Sequence, residues 1–124
     1  MPTALLVEDD PIMARMTMTS LGRGQFEVVW MEDGSLARDY IQSHPPTDLV
    51  ILDYMMPGLN GEEVLVLLRA QPNWTTRPVM MMTVVGEEKT IARLYQTGLT
   101  EFYQKPIRMG EFVRAAMRLA GQVS

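Results

Sequence analysis

Leu49-Val50-Ile51-Leu52-Asp53-Tyr54-Met55-Met56-Pro57-Gly58-Leu59-Asn60-Gly61 decides the fold of this chain. Its first four residues are apolar without polar alternation, which suits a strand covered on both faces, as in a parallel sheet. Asp53 ends that run, and Pro57 and Gly58 make the following segment a loop. Four more short runs have the same character: Ala4 to Val7, Phe26 to Trp30, Val79 to Thr83, and Glu101 to Gln104, the last polar enough for an edge. Polar residues end three of them: the cluster Glu8-Asp9-Asp10, Thr83, and Lys105. The run Met80-Met81-Met82 reads as core, since methionine fills gaps in buried strands.

Segments of helical character separate the runs. Asp10-Pro11, an acidic cap before a first-turn proline, opens a helix whose apolar residues Ile12, Met16 and Leu21 trace a stripe until Gly22 and Gly24. Further helices are expected from Gly34-Ser35 through Ser43, from Asn60 or Gly61 through Leu68, from about Gly86 to Gln96, and from Met109 to Leu119. The last has Phe112, Val113, Ala116, Met117 and Ala120 as its apolar face. Strict alternation of strand and helix argues for an α/β sandwich with parallel strands and right-handed crossovers. Ligands of such sheets bind beyond the carboxyl ends of the strands, so the polar strand ends share an address.

Length and composition narrow the chemistry. A chain of 124 residues is read as a single domain, 1–124, that buries roughly two-thirds of its unfolded surface. With no cysteine, disulfides, thiolate metal sites and Cys nucleophiles are excluded. Net charge is −4, from 11 basic and 15 acidic residues, which gives no basic field for direct nucleic-acid binding. No apolar stretch approaches the roughly 18 residues of a membrane span, and Met1-Pro2-Thr3-Ala4 lacks signal-peptide features, so a cytoplasmic protein without membrane attachment is expected.

An acidic run by itself is a solvated turn or a helix cap, and Asp10 is read as that cap. Glu8 and Asp9 differ because they directly follow a strand and meet Asp53 in the same situation. Three adjacent carboxylates cannot all stay ionised unless a cation or a proton intervenes. The ligands are hard oxygens, which suits Mg²⁺ with Mn²⁺ as a substitute. The expected set is Asp9 and Asp53 directly, the Met55 backbone carbonyl as a third ligand, and Glu8 through water. Lys105, held by the backbone restriction of Pro106, offers a point charge for a phosphoryl oxygen, and Thr83 a hydroxyl donor.

The elements Leu5-Leu6-Val7-Glu8-Asp9-Asp10-Pro11, Leu49 to Gly61, Arg77-Pro78-Val79 to Thr83, and Phe102-Tyr103-Gln104-Lys105-Pro106 together resemble the receiver domain of two-component response regulators, the group that includes the single-domain chemotaxis regulators. The resemblance implies a flavodoxin-like three-layer sandwich, a five-stranded parallel sheet in order 2-1-3-4-5 with five helices. It implies that Asp53 accepts a phosphoryl group from a histidine kinase or a histidine phosphotransfer protein, with Mg²⁺ at Glu8 and Asp9 and with Lys105 and Thr83 binding phosphoryl oxygens. Thr83 and Phe102 would be the switch pair. The output surface would comprise the fourth helix, fifth strand and fifth helix, carrying Lys89, Arg93, Arg114 and Arg118. Its partner would be a downstream protein or effector domain, or a second copy in a dimer formed on phosphorylation.

Where the family often has a small residue after the threonine, this chain has Val84, which with Met55 is expected to narrow access to Asp53. A phosphohydrolase of the haloacid dehalogenase type also uses a strand-end Asp nucleophile, but needs a second Asp where Met55 stands. A pseudo-receiver that never takes phosphate is the other competing class. Only Gly121 to Ser124 follow the fifth helix, so the expectation is a stand-alone receiver or one cut from a longer protein.

Overall fold

The computed structural model describes residues 1–84 and 86–121; the tail Gln122-Val123-Ser124 lies outside the described residues. Strands β1 (Thr3–Val7), β2 (Glu27–Met31), β3 (Leu49–Asp53), β4 (Val79–Thr83) and β5 (Glu101–Gln104) alternate with helices α1 (Pro11–Arg23), α2 (Gly34–Ser43), α3 (Gly61–Ala70), α4 (Glu88–Thr97) and α5 (Met109–Gly121). All strand pairs are parallel and the order is β2-β1-β3-β4-β5, so the chain reverses its direction of winding between β1 and β3. The polar β5 is an edge strand, and no described helix is long and apolar enough to cross a membrane.

Every residue of β3 and β4 is buried, because helices cover both faces. Strand alternation then sorts the methionines: Met81 joins Val50, Leu52, Val64, Leu68 and Leu94 under α2, α3 and α4, while Met80 and Met82 join Leu6, Ile51, Phe112 and Leu119 under α1 and α5.

Two helical stripes differ from expectation. In α1 the buried residues are Ala14, Thr17 and Leu21, whereas Ile12 is 73% and Met16 52% exposed. The helix packs beside α5 with Ala14, Thr17 and Leu21 inside and Met13 and Met18 partly covered, leaving Ile12 and Met16 outside. In α5 the buried face is Phe112, Ala115, Ala116, Leu119 and Ala120; Val113 is only partly buried and Met117 is half exposed. Phe26 is buried but precedes its strand, and α4 opens at Glu88, two residues later than Gly86.

The caps aim the site. Asp10 accepts from the Ile12 amide at 3.0 Å and starts α1. Asp33, one residue earlier than expected, caps α2 through the Leu36 amide. Asn60 and Glu63 form a reciprocal capping box at α3. Gly61 is required where it stands, since a Cβ there would sit 2.5 Å from the Asp53 carbonyl oxygen. Its absence lets the Gly61 amide donate to Tyr54 O at 2.9 Å, folding the loop tightly back after β3.

Candidate phosphoacceptor site

The carboxyl ends of β1, β3, β4 and β5 bring Glu8, Asp9, Asp53, Thr83 and Lys105 together at the point where the strand order reverses. The topology places Asp53 centrally. Beside it the Tyr54 amide donates to Met82 O at 2.9 Å, and the Lys105 amide donates to Thr83 O at 2.8 Å. These backbone bonds carry the ladders one residue past the strands and fix where Asp53, Thr83 and Lys105 emerge.

Glu8 is wholly buried, Asp53 and Thr83 nearly so, and Asp9 is exposed. One carboxylate oxygen from each of Glu8, Asp9 and Asp53 lies within 4.8 Å of the others. Lys105 Nζ stands 3.3 Å from Asp53 Oδ1 and 3.5 Å from Glu8 Oε1. Its link to Pro106 is a cis peptide.

One ammonium faces three carboxyl groups, and the imbalance shows at Glu8. Burial pushes its carboxyl up to about 8, the neighbouring Asp53 pushes in the same direction, and Lys105 and the Asp10 amide pull back less. Oε2 accepts from the Asp10 amide at a long 3.3 Å, while Oε1 is buried without a hydrogen-bond partner. A buried carboxylate oxygen that accepts no hydrogen bond, next to two other carboxyl groups and with only oxygen ligands at hand, fits a hard divalent cation. Glu8, Asp9 and Asp53 could hold one.

The remaining expected residues fall around this centre. Met55 lies in the turn past Asp53 with its side chain 57% exposed, and Val84 follows Thr83 with 62% exposure, so both stand at the rim. Val84 and Lys105 share an apolar hollow with Met13, Met16, Ile107 and Met109. Phe102 is half buried against the α2/α3/α4 side of the core, and its amide donates to the Tyr95 hydroxyl of α4 at 3.1 Å. Tyr103 points the other way, edge-on to Phe112 with ring centroids 5.1 Å apart. Of the output-face cations, two are tied down: Arg93 makes a two-pronged pair with Glu62 of α3 at 2.6 and 2.9 Å, and Arg118 binds Glu101 at 2.7 Å. Lys89 and Arg114 are exposed.

Sequence reasoning missed Trp30, whose indole N–H donates to the Glu8 carbonyl at 2.8 Å. A tryptophan in an apolar run carries no local mark of such a bond across 22 residues.

The family model for the response regulator receiver domain matches residues 4–117. Among curated relatives, the response regulator RppA of Synechocystis is 34% identical over 122 residues, covering 95% of this chain and 51% of the relative. The chain spans about half the length of the curated relatives first matched. Among solved structures, the receiver domain of the Francisella response regulator 1452 superposes with a TM-score of 0.91 at 22% identity, covering both chains completely. The receiver domain of a Pseudomonas aeruginosa sensor histidine kinase, solved with a magnesium ion coordinated in its active-site cleft, gives 0.87 at 25% identity over 98% of each chain. Sheet order alone would leave several doubly wound folds open, and the sequence match removes that freedom: the chain belongs to the response regulator receiver domains.

Proposed function

We propose that this receiver domain, taken as residues 1–124, is a phosphorylation-activated signalling switch in which Asp53 accepts a phosphoryl group from a phosphohistidine on a histidine kinase or phosphotransfer protein. The observation that carries the reading is Asp53 itself, nearly buried at the switch point, 3.3 Å from Lys105 and grouped with Glu8 and Asp9. An Asp53 oxygen attacks phosphorus, the bond from phosphorus to the histidine nitrogen breaks, and an aspartyl phosphate results. Asp9, Asp53 and the Met55 carbonyl directly, and Glu8 through water, would hold Mg²⁺, or Mn²⁺ in its stead, which would supply charge neutralisation. Lys105 pairs with a phosphoryl oxygen, and the Thr83 hydroxyl donates to another. Positioning and electrostatics supply most of the catalysis in phosphoryl transfer. The chain promotes only its own phosphorylation and slow dephosphorylation, and it is not an enzyme acting on other substrates.

The output is conformational. Thr83 moves toward the new phosphate, Phe102 turns inward, and the surface of α4, β5 and α5 changes for a downstream protein, an effector domain or a second copy. The amide of Phe102 on the Tyr95 hydroxyl supports this link, because it joins β5 to α4 at the switch residue. Moving such an equilibrium from 1:99 to 99:1 takes about 5.5 kcal/mol, shared between phosphate contacts and the partner. The cytoplasm is the expected compartment.

Incubation with acetyl phosphate and Mg²⁺, followed by intact mass, tests the reading. Wild type should gain one phosphoryl group and Asp53→Ala none; an adduct surviving in Asp53→Ala would overturn it. Val84 and Met55 at the rim restrict water, so Val84→Ala should lose the adduct faster, and an unchanged decay removes that role.

A further inference from the structure

The geometry points to Trp30 as a positioning residue for the acidic pair, acting through the peptide plane that joins Glu8 to Asp9. It rests on the reading that these residues hold a divalent cation. Strand β1 ends at Val7, and the Glu8 amide carries its ladder one step further by donating to Met31 O at 3.1 Å. The Glu8 carbonyl beyond it is taken by the Trp30 indole N–H at 2.8 Å. Trp30 is delivered there by register, paired with Leu6 across the β1–β2 ladder, and its ring is clamped against the core under α1 and α5.

The consequence follows from planarity. The Glu8 carbonyl and the Asp9 amide belong to one rigid unit, and the two carboxylate side chains leave from its two ends. Rotation of that plane would swing the start of Asp9 relative to Glu8 and change the spacing of their oxygens. Among the described residues, the other contacts of Glu8 reach its side chain and not this plane: the Asp10 amide to Oε2 at 3.3 Å and Lys105 Nζ at 3.5 Å from Oε1, while Asp9 is exposed. Ligand-orienting hydrogen bonds of this kind commonly matter as much as an individual ligand. If the ring acted by packing alone, Phe would serve equally.

The chain's other tryptophan provides the control. Trp74 also donates its indole N–H to a backbone carbonyl, that of His44 at 3.3 Å, away from the acidic site. Magnesium chloride titrated by calorimetry into the full chain should bind roughly five- to tenfold more weakly to Trp30→Phe than to wild type. Trp74→Phe should bind as wild type does, although it too loses one hydrogen bond. Equal affinity in wild type and Trp30→Phe overturns the assignment while leaving the cation reading intact. No binding to wild type overturns both. Should Trp30→Phe fail to fold, wild-type chain labelled with ¹⁵N gives the answer: of its two indole N–H signals, assigned with Trp74→Phe, the Trp30 signal should shift on adding Mg²⁺ and the Trp74 signal should not. A stationary Trp30 signal overturns the proposal.

Discussion

Glu8, wholly buried, and Arg69, partly buried, are ionisable side chains at opposite ends of the molecule, and they are finished in opposite ways. Arg69, at the end of α3, donates four hydrogen bonds to three backbone carbonyls: twice to Gly98 O at 3.0 and 2.7 Å, once to Thr75 O at 3.0 Å and once to Arg77 O at 2.7 Å. Gly98 makes this possible, since it ends α4 in the left-handed conformation and a Cβ there would lie 2.9 Å from Arg69 Nε. Burial lowers the Arg69 pKa and raises that of Glu8, the same desolvation acting on opposite charges. The difference lies in the partners. Folding alone satisfies Arg69, whereas Glu8 keeps a buried oxygen that pairs with Lys105 at 3.5 Å but accepts no hydrogen bond. A charge completed by its own chain holds the fold together; the hydrogen bond Glu8 lacks is what the proposed cation would make good.

Removing the completed charge should have the largest effect on stability. Arg69→Ala strands the carbonyls of Gly98, Thr75 and Arg77, and urea unfolding should show a loss of about 3 kcal/mol with Mg²⁺ affinity unchanged. A stable Arg69→Ala would break the comparison from that side. Glu8→Gln should do the reverse, raising the metal-free stability at pH 8 by about 1 kcal/mol while weakening Mg²⁺ binding at least tenfold, read by urea unfolding and calorimetry. A destabilised Glu8→Gln would mean that the carboxylate is completed by folding after all. The smallest effect is expected for Arg93→Ala. Its pair with Glu62 is short but lies on the surface, so the urea midpoint should move less than in either other variant.

These contrasts track what could be read from residues alone. The strands were legible because a run such as Leu49 to Leu52, apolar at every position, has few uses other than a doubly covered strand. The convergence of Glu8, Asp9, Asp53, Thr83 and Lys105 was legible because they end or closely follow strand-like runs, and a parallel sheet aligns those ends. The α1 face was not legible, because Ile12 and Met16 sit at helical spacing on the solvent side while the buried positions Ala14 and Thr17 carry little hydropathic signal. Trp30 and Arg69 were missed for a different reason: both act on backbone carbonyls, and any residue supplies one. The pairing of Arg93 with Glu62 likewise depends on how α3 and α4 lie together, which periodicity within one helix does not encode.

Because burial holds the Glu8 pKa up at about 8 in the folded protein without metal, against about 4.5 for the carboxyl in the unfolded chain, the native state binds more protons across that window. Stability from this group is therefore complete below about 4.5 and declines as pH rises toward 8. A cation at the site must displace that proton. Mg²⁺ titrated into wild type by calorimetry at pH 6 and pH 8.5, in buffers of different ionisation enthalpy, measures this directly. Binding should tighten at the higher pH and release protons at the lower one; an affinity independent of pH, with no proton released, would contradict the account.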